Sequence, residues 1–324
     1  MRVLSGTQPS AQLHLGNYFG AMKQHIELQA QNECYFFIAN YHTLTTLNDA
    51  ARLRQLTIDV ALDYLAMGLD PARACLFRQT DVPEVTELAW ILATVTGKGL
   101  LDRATSYKDK VARGITPNVG LYTYPVLMAA DVLIYRSDLV PVGKDQKQHV
   151  EMAQDMATYF NEAFGRPVLK RPEPRFNETP YVPGVDGQKM SKSYGNAIEI
   201  FGDAKAMNKK IMGIQTDSTP VDQPKNPDTC NVFALLKLLA SKDEAAEWDR
   251  RYRAGGMGYG EAKKRLAELY EGYFGPRRAA RADWAARPAD VEDILRESGR
   301  KARAVAQAVM AEVRDACGLV TARN

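Results

Sequence analysis

Short runs rich in β-branched and aromatic residues alternate, in the first half of the chain, with longer stretches of helical periodicity. The runs fall at residues 2–4, 34–39 (CYFFIA), 74–77 (ACLF) and 139–142 (LVPV), and a further strand is expected near Tyr181. Between them, apolar positions recur at helical spacing over about residues 17–30, 50–68, 85–96, 120–134 and 145–164. Strand, helix, strand in repetition predicts an α/β domain whose parallel sheet is covered by helices on both faces and joined by right-handed crossovers. Sheets of this kind take ligands at the carboxyl ends of their strands, so functional residues should follow strands.

Beyond residue 203 the β signal fades and helices dominate. A helix is expected over residues 203–212, then a polar connector over 215–229 with Pro220, Pro224 and Pro227, then a turn at 255–260 ahead of a helix at Glu261. The last long pattern covers residues 290–317, with Val291, Ile294, Leu295, Val305, Val309 and Val313 on one stripe and Gly318 as its stop. The expected organisation is two domains: residues 1–202 carry the sheet, and residues 203–324 form a smaller all-helical C-terminal domain.

Composition narrows the class. Apolar types make up 45% and charged types 25% of the 324 residues, which is enough to bury a sizeable core. No apolar run approaches the roughly 18 to 20 residues of a membrane helix. After Met1 and Arg2 the chain turns polar at Ser5 and Thr7, before a signal-peptide core can form, so a cytoplasmic protein with no membrane partner is expected. Cys34, Cys75, Cys230 and Cys317 are far apart, with no CxxC pair and no histidine at ligand spacing. They read as inert buried thiols, and no resident metal site is expected. The net charge of +3, from 42 basic and 39 acidic residues, is too small to argue for a polybasic nucleic-acid binder. Its excess lies in residues 241–324, with 17 basic and 14 acidic side chains, which is compatible with phosphate contact and equally with a solvated helical surface.

Two segments carry phosphate chemistry. Residues 9–17 (PSAQLHLGN) follow the first expected strand and open the first helix, where unpaired N–H groups favour a polyphosphate. Gly16 lets a nucleotide approach the backbone closely, and His14 and Asn17 can donate to phosphate oxygens, although His14 would serve equally as a capping residue. Residues 187–193 (GQKMSKS) form a small loop with Lys189 and Lys192 three apart, flanked by Gly184, Gly187 and Gly195. Such a loop can fold over a triphosphate and follow the charge that develops on leaving pyrophosphate. Other phosphate motifs fail: Gly97-Lys98-Gly99 has Leu92 where a P-loop needs glycine, and the glycine run at 255–260 has no preceding strand.

HLGN near the N-terminus together with KMSKS makes the sequence similar to the class I aminoacyl-tRNA synthetases. Over nearly its whole length the chain resembles the bacterial-type tryptophanyl-tRNA synthetases, most closely at residues 5–18, 123–135 (TYPVLMAADVLIY) and 140–151 (VPVGKDQKQHVE) and in the KMSKS loop. The resemblance implies a Rossmann-type catalytic domain followed by an anticodon-binding helical domain. It also implies activation of L-tryptophan with ATP and Mg2+, transfer to tRNA(Trp), and a homodimer. His14, Asn17, Lys110, Lys189 and Lys192 would serve the phosphates. Gln8, Pro9, Ser10, Gly16, Gly143, Asp145, Met190 and Ser191 would complete the nucleotide site, Asp145 at the ribose hydroxyls. Asp131 would accept the indole N–H, Met128 would pack on the ring, and Tyr124 with Gln146 would hold the α-ammonium, with Leu4, His42, Val140 and Val142 as further pocket residues.

The chemistry of tryptophan agrees with that assignment. On a helix, positions 124, 128 and 131 share a face at i, i+4 and i+7, offering a phenol, a thioether and a carboxylate to one pocket. Two positions depart from the family pattern: Ala11 stands where many relatives carry glycine, and Leu4 where some carry an aromatic. Three rival readings are a tyrosyl-tRNA synthetase with the same ATP motifs, a small-molecule nucleotidyltransferase, and a non-catalytic RNA-binding paralogue. Intact His14, Asp145, Lys189 and Lys192 speak against the last.

Overall fold

The computed structural model describes residues 1–10, 12–104, 107, 112, 114, 116–176 and 181–319, so Ala11 and Lys110 lie outside the described residues. Five strands, β1 (Arg2–Thr7), β2 (Glu33–Ile38), β3 (Ala74–Arg78), β4 (Leu139–Val142) and β5 (Glu173–Phe176), pair in parallel in the order β3-β2-β1-β4-β5. Leu4 lies opposite Tyr35 and Tyr35 opposite Cys75, while Val3 pairs with Leu139 and Leu139 with Glu173. The interior strand β2, ECYFFI, is buried from Cys34 onward, which is why its text is a continuous apolar run and not an alternation. Among the described residues the strand expected near Tyr181 is not found; an isolated bridge joins Pro183 and Lys189. The fifth strand is instead EPRF at the sheet edge, only half-buried at alternate positions. An edge position tolerates proline and charge, so this strand carries no β signature.

In chain order the first half also contains helices α1 (Leu15–Asn17), α2 (Lys23–Leu28), α3 (Asn40–Thr43), α4 (Ala50–Met67), α5 (Glu84–Val95), α6 (Lys98–Asp102), α7 (Val119–Leu133) and α8 (Lys147–Ala163). A π-helical turn, Tyr18–Met22, joins α1 to α2. α4 shows how the sequence sets its own limits: Asp49 caps its start by accepting from the Arg52 N–H at 3.0 Å, and Gly68 ends it at φ 106°. The second half contributes α9 (Ala204–Met212), α10 (Asn231–Leu239), α11 (Lys242–Ala254), α12 (Tyr259–Ala285) and α13 (Pro288–Ala316).

The chain divides into two compact units, one of Met1–Ala11, Gln24–Asn177 and Arg287–Asn324, the other of Gln12–Lys23 and Glu178–Ala286. These bounds differ from a single cut after residue 202, for two physical reasons. α13 returns to the first unit and packs on β3 and α5. It buries Val291, Leu295, Val309 and Val313 as the stripe predicts, but Ile294 and Val305 are only half-buried, and small residues at Ser298, Gly299, Ala302 and Ala306 complete the contact. A Cβ at Gly299 would come within 2.7 Å of the Asp81 Cβ, so helix and loop approach closer than any side chain permits. Arg303 Nε to Glu84 at 2.8 Å and Arg78 Nη1 to Glu292 at 2.9 Å fix the helix in place. Second, residues 12–23 join the other unit through backbone bonds from Leu15 N–H to Ile198 O and from Ile200 N–H to Leu13 O, both 3.0 Å.

The first core includes Leu4, Phe77, Leu88, Leu133, Phe160 and Met310; in the second unit Phe233, Tyr252, Leu266, Tyr270 and Phe274 are buried. Cys34 and Cys230 are buried, whereas Cys75 and Cys317 are half-buried, and all four are free thiols. Among the described residues no helix is long and apolar enough to cross a membrane.

Candidate active site

A cavity of about 360 Å³ opens in the first unit at the carboxyl edge of the sheet, where the fold rule places ligands. Leu4, Ser5 and Gly6 of β1, Phe37 of β2, and Val140 and Val142 of β4 line it, with Gln8, Ala39, His42, Thr45 and Gln146 from the segments that follow the strands. Gly6 is required there: a Cβ would lie 2.4 Å from the Phe37 ring, which occupies that space. α7 supplies Tyr124, Met128 and Val132. Of the pocket residues read from the sequence, Leu4, His42, Tyr124, Met128, Val140, Val142 and Gln146 all reach this wall.

Asp131 does not. At about 100° per residue, position 131 lies only about 20° from 124 on α7, so helix phase does not keep it from the wall; its carboxylate is instead turned to His42 and Gln79. Its carboxylate is buried, 2% exposed, one hydrogen bond behind the wall. His42 Nε2 donates to Oδ2 at 2.9 Å, and Gln79 Nε2 donates to both oxygens at 2.9 Å. Burial pushes the Asp131 carboxyl above its usual range, and the His42 and Gln79 hydrogen bonds pull it back down. Gln79 is itself held, because its Oε1 accepts the Tyr41 N–H at 3.0 Å, which directs its NH2 group at the carboxylate. The sequence reading missed Gln79; its only signal was a polar side chain directly after β3.

The segment after β4 forms a short 3-10 turn over Lys144–Gln146. Asp145 is exposed, and Gln146 Nε2 donates to its Oδ2 at 2.9 Å, leaving Gln146 Oε1 as the acceptor atom of that side chain. A Cβ at Gly143 would meet Asp145 Oδ1 at 2.5 Å, so glycine lets the carboxylate fold back over the turn. Gln8 and Ser10 are exposed and Pro9 is buried, all in the first unit.

The second unit holds both phosphate motifs. His14 caps α1 reciprocally: its Nδ1 accepts the Asn17 N–H and Asn17 Oδ1 accepts the His14 N–H, each at 3.3 Å. With Nδ1 accepting, the neutral ring carries its proton on Nε2. Burial, seconded by the charge of Lys192, lowers His14 to a pKa of about 4, so it is a neutral donor near pH 7. The KMSKS loop lies against the same helix, with the Gly16 N–H 3.4 Å from the Met190 sulfur. Lys189 is exposed and Lys192 half-buried. The loop's shape depends on Asn196, 2% exposed and missed by the sequence reading. Its Oδ1 accepts the Ser191 N–H at 2.8 Å, and its Nδ2 donates to Asp186 Oδ1 at 2.8 Å and to Lys189 O at 3.2 Å. Gly184 makes room for it, since a Cβ there would lie 2.4 Å from the Asn196 amide.

Known proteins with this architecture identify the chemistry. The profile of the class I tRNA synthetases (W and Y) matches residues 1–275. A tryptophan–tRNA ligase of Rhodopirellula baltica is 50% identical over 98% of this chain and 100% of its own length, and that of Fusobacterium nucleatum is 49% identical over 98% of each. The crystal structure of the Campylobacter jejuni tryptophanyl-tRNA synthetase complexed with ADP and tryptophan is 45% identical. It superposes with a TM-score of 0.91 over 98% of this chain and 100% of that one. The chain therefore belongs to the class I tRNA synthetases for tryptophan and tyrosine, and within them to the bacterial-type tryptophanyl-tRNA synthetases.

Proposed function

We propose that the cavity holds the amino acid of the reaction and that the second unit's loop and capped helix serve the triphosphate. The chain is an aminoacyl-tRNA ligase: it activates L-tryptophan with ATP to tryptophanyl-adenylate and pyrophosphate, then passes the tryptophan to tRNA(Trp). The single observation that carries the residue assignment is the slot itself. It is apolar along β1, β2 and β4, with a phenol and an amide on its wall and a buried acid behind His42.

An α-ammonium only donates, so Tyr124 Oη and Gln146 Oε1 are its acceptors. Met128, Leu4, Val140 and Val142 pack on the indole. Asp131 takes the indole N–H once the ring reaches past the His42 side chain that lies in front of it in this structure; a carboxylate has about four acceptor positions, and the donors already present do not use them all. Gln8, Pro9, Ser10, Gly143 and Asp145 hold the nucleoside, Asp145 at the ribose hydroxyls. His14 through Nε2–H, the backbone at Gly16, Asn17, Lys110, Lys189, Met190, Ser191 and Lys192 meet the phosphates. The tryptophan carboxylate oxygen bonds to the α-phosphorus in line while the bond to the bridging oxygen breaks, and pyrophosphate leaves with the electron pair. The nucleophile is already an anion, so no general base is needed, and the protein's task is positioning and charge stabilisation.

Mg2+ fits this scheme as a companion of the substrate. Among the described residues no group of three or more His, Cys, Asp or Glu could hold a metal ion, so the ion's ligands would be phosphate oxygens and water. A terminal ribose hydroxyl of tRNA then takes the acyl group, the helical residues 203–324 read the anticodon, and the active form is a homodimer. ATP–pyrophosphate exchange with each of the twenty amino acids tests the assignment. Exchange with tryptophan alone supports it, whereas exchange with tyrosine, or with no amino acid, refutes it.

A further inference from the structure

Tyr124 does not stand alone in the cavity wall. Behind it, on α8, His149 is buried at 3% exposure, and its Nε2 lies 2.7 Å from Tyr124 Oη. The two rings are tilted by 46° with centroids 5.4 Å apart. The edge of the phenol meets the His42 ring, 6.2 Å away at 80°, so packing fixes the plane of Tyr124 from two sides. Neither imidazole contact was foreseen as part of the Tyr124 role, and His149 sits in the QHV run three residues after Gln146.

We infer that His149 is a positioning residue for tryptophan: it accepts the hydroxyl proton of Tyr124 and so turns the phenol oxygen into an acceptor for the substrate's α-ammonium. This rests on the reading that Tyr124 holds the ammonium. A phenol has one proton and its oxygen accepts; an ammonium has three donors and no lone pair. If His149 donated from Nε2, the phenol proton would have to point elsewhere, toward the incoming cation, and two donors would face each other. The arrangement works with the imidazole neutral and its proton on Nδ1, so that Nε2 receives the phenol O–H. The residue then acts one bond away from the substrate, by choosing the direction of a hydrogen bond, and touches no reacting atom.

The test compares two ligands in the full-length enzyme: tryptophan and indole-3-propionate, which keeps the ring and carboxylate but lacks the ammonium. Dissociation constants are measured by equilibrium dialysis for wild type and for Tyr124→Phe, His149→Leu and His149→Gln. Loss of a hydrogen bond to a charged group corresponds to about tenfold to 150-fold weaker binding. His149→Leu and Tyr124→Phe should each weaken tryptophan by that factor and leave indole-3-propionate within about twofold, and His149→Gln, which keeps an acceptor, should recover most of the loss. If His149→Leu weakens both ligands equally, or neither, while Tyr124→Phe is selective for tryptophan, the inference is wrong and Tyr124 keeps its role. If Tyr124→Phe is itself unselective, the ammonium assignment fails and the inference falls with it. Circular dichroism of each variant identifies any that does not fold, and failure of His149→Gln to bind tryptophan better than a folded His149→Leu would also overturn it.

Discussion

Asp131→Asn asks the sharpest question of the amino-acid site. The change keeps the volume but removes the charge and one acceptor oxygen, in a place where Gln79 and His42 both present N–H groups at 2.9 Å. Two donors converging on an amide leave its single carbonyl oxygen shared among Gln79, His42 and the indole, while its own NH2 faces donors. A hydrogen bond to a charged acceptor is worth about 1.5–3 kcal/mol, or roughly tenfold to 150-fold in an equilibrium constant. The expected outcome is a fall of that size in kcat/KM for tryptophan, measured by ATP–pyrophosphate exchange, with the KM for ATP unchanged. The deciding comparison uses 1-methyltryptophan, which has no indole N–H. Wild type should prefer tryptophan over it, and Asp131→Asn should lose most of that preference. Undiminished discrimination in a folded Asp131→Asn enzyme would show that the acid behind the wall only supports His42, and the indole reading would have to be abandoned.

Three further outcomes follow from the same geometry. Lys192→Ala should lower ATP–pyrophosphate exchange by about 100-fold or more, the scale of losing one preorganised charge contact, while tryptophan binding by equilibrium dialysis stays intact; an unchanged rate would contradict the loop's role. Asn196→Ala leaves the Ser191 N–H and the Lys189 carbonyl without that partner, a cost of about 1–3 kcal/mol, and should raise the KM for ATP without altering tryptophan affinity. Equal effects on both substrates would mean global loosening instead. His25, buried with Nδ1 2.7 Å from Tyr64 Oη, has its pKa lowered by burial to about 4 from 6.5. The unfolded chain therefore takes the proton first, so this group's stabilisation is complete above pH 6.5 and is lost as pH falls toward 4, at most about 3 kcal/mol. Urea unfolding at pH 7 and pH 4.5 should show a smaller difference for His25→Phe than for wild type, and equal differences would refute the assignment.

The regular part of the fold was legible because local text and tertiary role agree. β1 to β4 are buried strands, and burial on both faces writes itself as CYFFIA or ACLF. β5 was not legible, since an edge strand with half-solvated faces has no reason to look different from a loop, and EPRF does not. α13 was legible as a helix with a stripe but not as a partner of β3 and α5. A stripe states that something covers it, and long-range contacts such as the Gly299–Asp81 approach and the Arg303–Glu84 and Arg78–Glu292 pairs state what.

At the proposed site, the residues named from the sequence are those assigned to a ligand, and the ones missed contact other residues. Gln79, His149 and Asn196 each contact a recognised residue or loop across a chain separation that no local motif spans: 52 residues to Asp131, 25 to Tyr124, and 10 from Asn196 to Asp186 with the KMSKS backbone between. Each orients a hydrogen bond that would otherwise be ambiguous in direction. An acid can be protonated, a phenol can donate or accept, and a lysine-bearing loop can take many shapes; a buried amide or imidazole with fixed partners removes that freedom. On the proposed assignment, the motif lists the atoms that would meet substrate, while the polarity of those contacts would be set by residues the motif leaves out. For this chain, discrimination between tryptophan and its near analogues should therefore respond to substitutions behind the wall nearly as strongly as to substitutions in it.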